Sequence, residues 1–219
     1  FIALLNIMKT LIFCPVPKFK VRKEDGNMNK VAVLLAEGFE EIEALTVVDV
    51  LRRANIQCDT ISINLKENVK GAHNIVVQAD YIVDDKALED YSMIVLPGGS
   101  LGAENLSKSK IVLNTIEKFM NNKSKYVAAI CASPAVVLSK IDSIKGKSIT
   151  SYPGQDFEFM LKNSIYKNEM VVQDENLITS RGPATTLEFA FRLVDVLQKN
   201  SKNLKEGMLY NMLLKNGKD

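Results

Sequence analysis

Residues 126–134 read YVAAICASP. An unbroken apolar run, 126–130, meets Cys131, and Ala132, Ser133 and Pro134 then open a helical segment over 132–140. A run this short with no polar alternation predicts a strand covered on both faces. A strand that passes straight into a helix is the repeating unit of a parallel sheet with crossover helices.

The same unit recurs on either side. KVAVLLA (30–36) is a second unbroken strand. It is followed by a helix over 40–55, with Ala44, Val47, Val48 and Leu51 at i, i+3, i+4, i+7. Strands are predicted at 57–63, in one or two pieces over 74–83, and at 92–99, which ends in Pro97-Gly98-Gly99. The segment 110–122 places Val112, Ile116, Phe119 and Met120 on one helical face. After Cys131 come a short strand near 148–150, helical residues near 157–161, and a hairpin of 169–173 with 176–180 turning at Asp174–Glu175. A helix follows over 184–198, then an amphipathic tail after Ser201. Right-handed crossovers then give an α/β fold, a doubly wound three-layer α/β/α sandwich on a mostly parallel sheet. Ligands of such sheets bind beyond the carboxyl ends of the strands. That brings three features towards one crevice: 37–43, Pro97-Gly98-Gly99 and Cys131.

Composition narrows the functions. The net charge of +2, with dispersed lysines, gives no basic patch for nucleic acid. Three cysteines at wide spacing, Cys14, Cys58 and Cys131, form neither a disulfide framework nor a CxxC metal site. Reduced thiols fit a cytoplasmic compartment. The leader 1–28 is apolar, then charged, and too short and polar for a membrane helix. It leaves organelle targeting, or an origin in the expressed chain, open. The expected organisation is leader 1–28, an α/β domain over 29–200 and a helical tail over 201–219.

Position alone leaves Cys131 open between a small core residue and a nucleophile. The nucleophilic reading rests on the turn. A strand breaking into a helix presents its turn residue above the sheet, and the helix N-terminus favours a thiolate. Gly99 and Ala132 could then supply backbone N–H groups as an oxyanion hole. Glu40 and Glu41 read as dipole complements, whereas Glu43 borders the apolar helix face and can point into the crevice. His73 lies in a turn-like stretch with no obvious carboxylate beside it and reads as a rim residue. Cys58 reads as structural. Arg181, in SRGP (180–183), either lines the crevice or belongs to a loop with Pro183 starting the next helix.

The stretches LAEGFEEIEA, VLPGGSLGAENL, AAICASPAVV and ITSRGPATTLEFA, in this order, resemble the ThiJ/PfpI superfamily. The similarity covers about 29–200 and is strongest to the branch of parkinsonism-associated deglycases and glutathione-independent glyoxalases. The resemblance implies a flavodoxin-like sandwich, a homodimer and no cofactor or metal. It implies Cys131 as nucleophile, Glu43 as its protonated carboxyl partner, and Gly99 and Ala132 as oxyanion donors, with Gly98 and Pro183 at the pocket. Tyr152 stands where many members carry a histidine, which argues against a peptidase. Arg53 and His73 match, loosely, basic positions near the family's dimer interface. The implied activity is cysteine-dependent conversion of small dicarbonyl aldehydes, or removal of early adducts from glycated amines. The alternative is a non-catalytic redox sensor or chaperone acting through Cys131 oxidation. A thiamine-thiazole enzyme is disfavoured because no phosphate loop is present.

Overall fold

The structure is a computed structural model that describes residues 29–83, 87–198 and 200–216. The leader and its proposed boundary therefore lie outside the described residues.

The sheet is built from β1 (Lys30–Leu35), β2 (Gln57–Ser62), a short β5 (Tyr81–Ile82), β6 (Met93–Leu96), β7 (Tyr126–Ile130), β10 (Val171–Asp174) and β11 (Leu177–Ser180). Its order is β10-β11-β7-β6-β1-β2-β5, and only the β10–β11 pair is antiparallel. Counting the long parallel strands alone, the order is 2-1-3-4-5, that of flavodoxin-like folds. The switch point falls between β1 and β6. Two smaller pairs stand apart: β3 (Asn68–Lys70) with β4 (Val76–Gln78), and β8 (Ser148–Ile149) with β9 (Ile165–Tyr166).

Alternation along the strands divides the core. Val31, Val33, Leu35, Met93 and Val95 face one side. There they pack on Ala44, Val47 and Leu51 of α1 (Glu41–Arg53) and on Phe189, Phe191 and Val194 of α6 (Thr186–Gln198). Ala32, Leu34, Ile94 and Leu96 face the other side, under α2 (Ser100–Lys108) and α3 (Lys110–Met120) through Leu106, Val112, Ile116 and Phe119. Both faces are covered, which is why these strands read as unbroken apolar runs.

Three local departures from the sequence reading have clear causes. The helix α2, absent from the sequence reading, begins on Gly99, whose φ of +85° lets the chain turn straight from β6 into a helix. The helix after Cys131 is short, with α4 covering only Ser133–Val136 before a 3-10 turn at Leu138–Lys140. The hairpin turns one residue later than expected: Asp174 still pairs with Leu177, and Glu175 takes a left-handed φ of 52°. Helices α5 (Gln155–Met160), α7 (Lys202–Gly207) and α8 (Tyr210–Asn216) complete the chain. Among the described residues no helix is long and apolar enough to cross a membrane.

Candidate active site

β7 ends at Ile130, and Cys131 turns the chain with φ +63°, a left-handed conformation. A side chain there costs about 1–2 kcal/mol. The turn is pinned on both sides: the Cys131 N–H donates to the Ser180 carbonyl at 3.1 Å, and the Tyr152 N–H donates to the Cys131 carbonyl at 2.7 Å. Cys131 is half-buried and packs against both halves of the core. Strain held by these two backbone hydrogen bonds presents the sulfur above the sheet, as expected of an elbow.

The crevice brings the other expected groups to that sulfur. The backbone N–H groups of Gly99 and Ala132 are both directed at Cys131. Glu43, on the first turn of α1, has no exposed surface. Its Oε2 accepts the Gly98 N–H at 2.8 Å, while Oε1 is buried with no conventional hydrogen bond. Gly98 lies between acid and thiol. A Cβ built on it would fall 2.5 Å from Glu43 Oε2, 2.5 Å from Cys131 Cβ and 3.1 Å from the sulfur.

The electrostatics differ from the simple activated-thiolate expectation. Burial pushes the Glu43 carboxyl up to about 7 against the pull of the Gly98 N–H and the thiol, with Glu40 adding to the rise. Burial, followed by the charge on Glu43, pushes the Cys131 thiol up to about 12, and the Gly99 and Ala132 N–H groups only oppose this. The four-residue α4 supplies little dipole beyond those amides. Thiol and carboxyl thus act on each other directly and titrate as a pair, with macroscopic steps that belong to both.

The remaining candidates fall at different distances from the chemistry. Tyr152 adjoins the elbow through its backbone, and its half-exposed ring stands on Gly182 and edge-on to Phe157 at 6.2 Å. Pro183 opens a 3-10 turn, Pro183–Thr185, that leads into α6. Arg181 is half-buried, with Nη1 buried and unpartnered. Arg53 is exposed and pairs with Asp49 one turn back at 2.7 Å. Cys58 is 3% exposed, as a structural thiol would be, and burial pushes it up to about 12.

His73 departs from its reading as an unpaired rim residue. It is exposed, yet its N–H and Nδ1 both reach Glu41, at 2.7 and 2.8 Å, and Glu40 lies 3.6 Å from Nδ1. Glu41 is buried and serves this loop as well as the helix start. Burial pushes its carboxyl up, but its hydrogen bonds outweigh this and hold it below the usual range, and they raise the His73 imidazole. Among the described residues this trio is the group with metal-ligand spacing. The contact lies 32 residues apart in the chain and carries no local signal.

The match of the DJ-1/PfpI family profile runs over residues 29–196. The chain belongs to this family. It is 35% identical over 176 residues to Protein DJ-1 homolog B of Arabidopsis thaliana, a match covering 80% of this chain but only 40% of that longer protein. It is 30% identical over 183 residues to the glutathione-independent glyoxalase DJ-1 of Schizosaccharomyces pombe, covering 80% of this chain and 94% of that one. The crystal structure of Drosophila melanogaster DJ-1beta superposes with a TM-score of 0.77 at 36% identity, covering 83% of this chain and 98% of the other. The four stretches quoted above all fall inside the matched DJ-1/PfpI region.

Proposed function

We propose that this DJ-1/PfpI chain is a cofactor-independent glyoxalase and deglycase that removes reactive dicarbonyls and so protects against oxidative stress. The observation that carries this reading is the left-handed Cys131 elbow, with two amides and one buried carboxyl directed at a single sulfur. The similarity to a relative named as a glutathione-independent glyoxalase supports it.

In the proposed cycle ionised Glu43 takes the proton of the Cys131 thiol on its unpartnered Oε1 as the sulfur attacks. The Cys131 thiolate attacks the aldehyde carbon of methylglyoxal. The new alkoxide is met by the Gly99 and Ala132 N–H groups and takes the proton from Glu43, giving a hemithioacetal. Glu43, now a carboxylate, removes the hydrogen of that carbon and returns a proton to the neighbouring carbon through an enediol. The product is a thioester of lactate on Cys131, which water hydrolyses to lactate and the free thiol. Glyoxal gives glycolate by the same steps. On the related path, water releases early adducts from protein or nucleotide amines. The sum is one dicarbonyl plus one water, with no change of net oxidation state.

The second reading, a redox sensor or redox-regulated chaperone, draws on the contrast between half-buried Cys131 and sealed Cys58. Among the described residues, oxidation would then act on Cys131 and spare Cys58. A homodimer fits the apolar residues left exposed on α1 and beside β4: Ile42 is 55%, Ile75 52% and Val76 59% exposed. The deciding experiment is glutathione-free methylglyoxal turnover. Cys131→Ser is expected to lower it by about a thousandfold or more. Turnover at the wild-type rate in that variant contradicts the enzyme reading.

A further inference from the structure

Ser133 has no exposed surface, and its hydroxyl donates to the Pro97 carbonyl at 2.5 Å. That carbonyl and the Gly98 N–H are the two ends of one peptide group. The peptide is trans, as are all those described, so the two ends point in opposite directions. Its N–H donates to Glu43 Oε2 at 2.8 Å. The chain of bonds therefore runs Ser133 O–H to Pro97 C=O, through the peptide, and from Gly98 N–H to the carboxyl. One residue on, the Gly99 N–H is directed at the Cys131 sulfur, while the Gly98 carbonyl is held by the Glu40 N–H at 3.0 Å. Ser133 itself begins α4, two residues past Cys131. It ties the elbow to the loop carrying both the Glu43 donor and an oxyanion donor.

We propose that Ser133 is a positioning residue that sets the proton affinity of Glu43 through the Pro97–Gly98 peptide. A hydrogen bond accepted by a peptide carbonyl polarises its N–H into a stronger donor, and a stronger donor favours the ionised carboxyl. The hydroxyl also fixes the peptide plane, and so the line of the Gly98 N–H. The ionisable groups that act on Glu43 are Cys131 across Gly98 and Glu40 at the helix start. The Ser133 hydroxyl donates to the Pro97 carbonyl, so its removal reaches Glu43 through the peptide. The inference rests on Glu43 being the proton partner of Cys131 and does not depend on which aldehyde is turned over.

The test follows the Glu43 carboxyl itself, without substrate, by carbon-13 NMR of labelled glutamate. The Glu43 resonance is assigned with Glu43→Gln. In Ser133→Ala the midpoint is expected to rise by about half a unit, a roughly threefold change in proton affinity. Ser133→Thr, which restores the hydroxyl, is expected to bring it back. Should the alanine variant fail to fold, Ser133→Cys keeps the volume with a weaker donor and shifts the midpoint in the same direction. An unchanged midpoint in a folded alanine or cysteine variant overturns the proposal and leaves Ser133 as packing. Loss of turnover in wild type with the midpoint shift intact would count against the aldehyde reading instead.

Discussion

Gly98 gives its N–H to Glu43 Oε2 at 2.8 Å and leaves no room for a side chain between that oxygen and Cys131. The contact of acid and thiol thus depends on a missing Cβ. Gly98→Ala is expected to push Glu43 and Cys131 apart, since the added atom would meet Cys131 Cβ at 2.5 Å. Overpacking of this kind costs about 1–3 kcal/mol. Thermal unfolding should show that loss, and methylglyoxal turnover should fall with it. An alanine variant of unchanged stability and activity would mean that the crevice is looser than described.

The Glu43 carboxyl predicts a slope in stability with pH. Its value is 4.5 ordinarily and about 7 in the folded chain. Between these values the folded chain holds a proton that the unfolded chain has released, so stability falls as pH rises from about 4.5 to about 7. The full difference is worth up to about 3 kcal/mol. Cys131 adds nothing in this window, because its ordinary value of 9.0 and its raised value lie above it. Urea unfolding at pH 5 and pH 7.5 should show wild type losing stability relative to Glu43→Gln. Parallel behaviour of the two proteins would contradict the buried-acid account.

The left-handed φ of +63° at Cys131 makes a second stability prediction. Cys131→Ala keeps a Cβ in that conformation, whereas Cys131→Gly removes it. The glycine variant is expected to be the more stable of the two by about 1 kcal/mol, although both lack the thiol. Chemical denaturation decides it. An alanine variant as stable as the glycine one would mean that the elbow holds no strain.

The fold was legible because covered parallel strands leave unbroken apolar runs, and KVAVLLA, SMIVLPGG and YVAAI each carry that mark. Strand ends then located the crevice before any side chain was placed, and Glu43 stood out by bordering an apolar helix face. Helix α2 was not legible: the positive φ of Gly99 starts it, and a glycine pair reads as a turn whether or not a helix follows. Nor was the His73–Glu41 contact, or the Ser133–Pro97 bond 36 residues apart, since each exists only once the layers are assembled. The direction of the thiol shift was missed for a related reason. Helix position argues for a thiolate, but burial and the adjacent carboxylate are properties of the packed crevice.

The central claim is that Cys131 and Glu43 share one proton. It is tested most directly by the pH dependence of Cys131 alkylation with iodoacetamide, followed on the Cys131 peptide by mass spectrometry. Wild type is expected to react only far into the alkaline range, because burial and the ionised Glu43 beside it raise the thiol. Glu43→Gln removes that charge and is expected to react with its midpoint at lower pH. A single alkaline inflection of the same midpoint in both proteins would contradict the shared proton and, with it, the proposed catalytic role of Glu43.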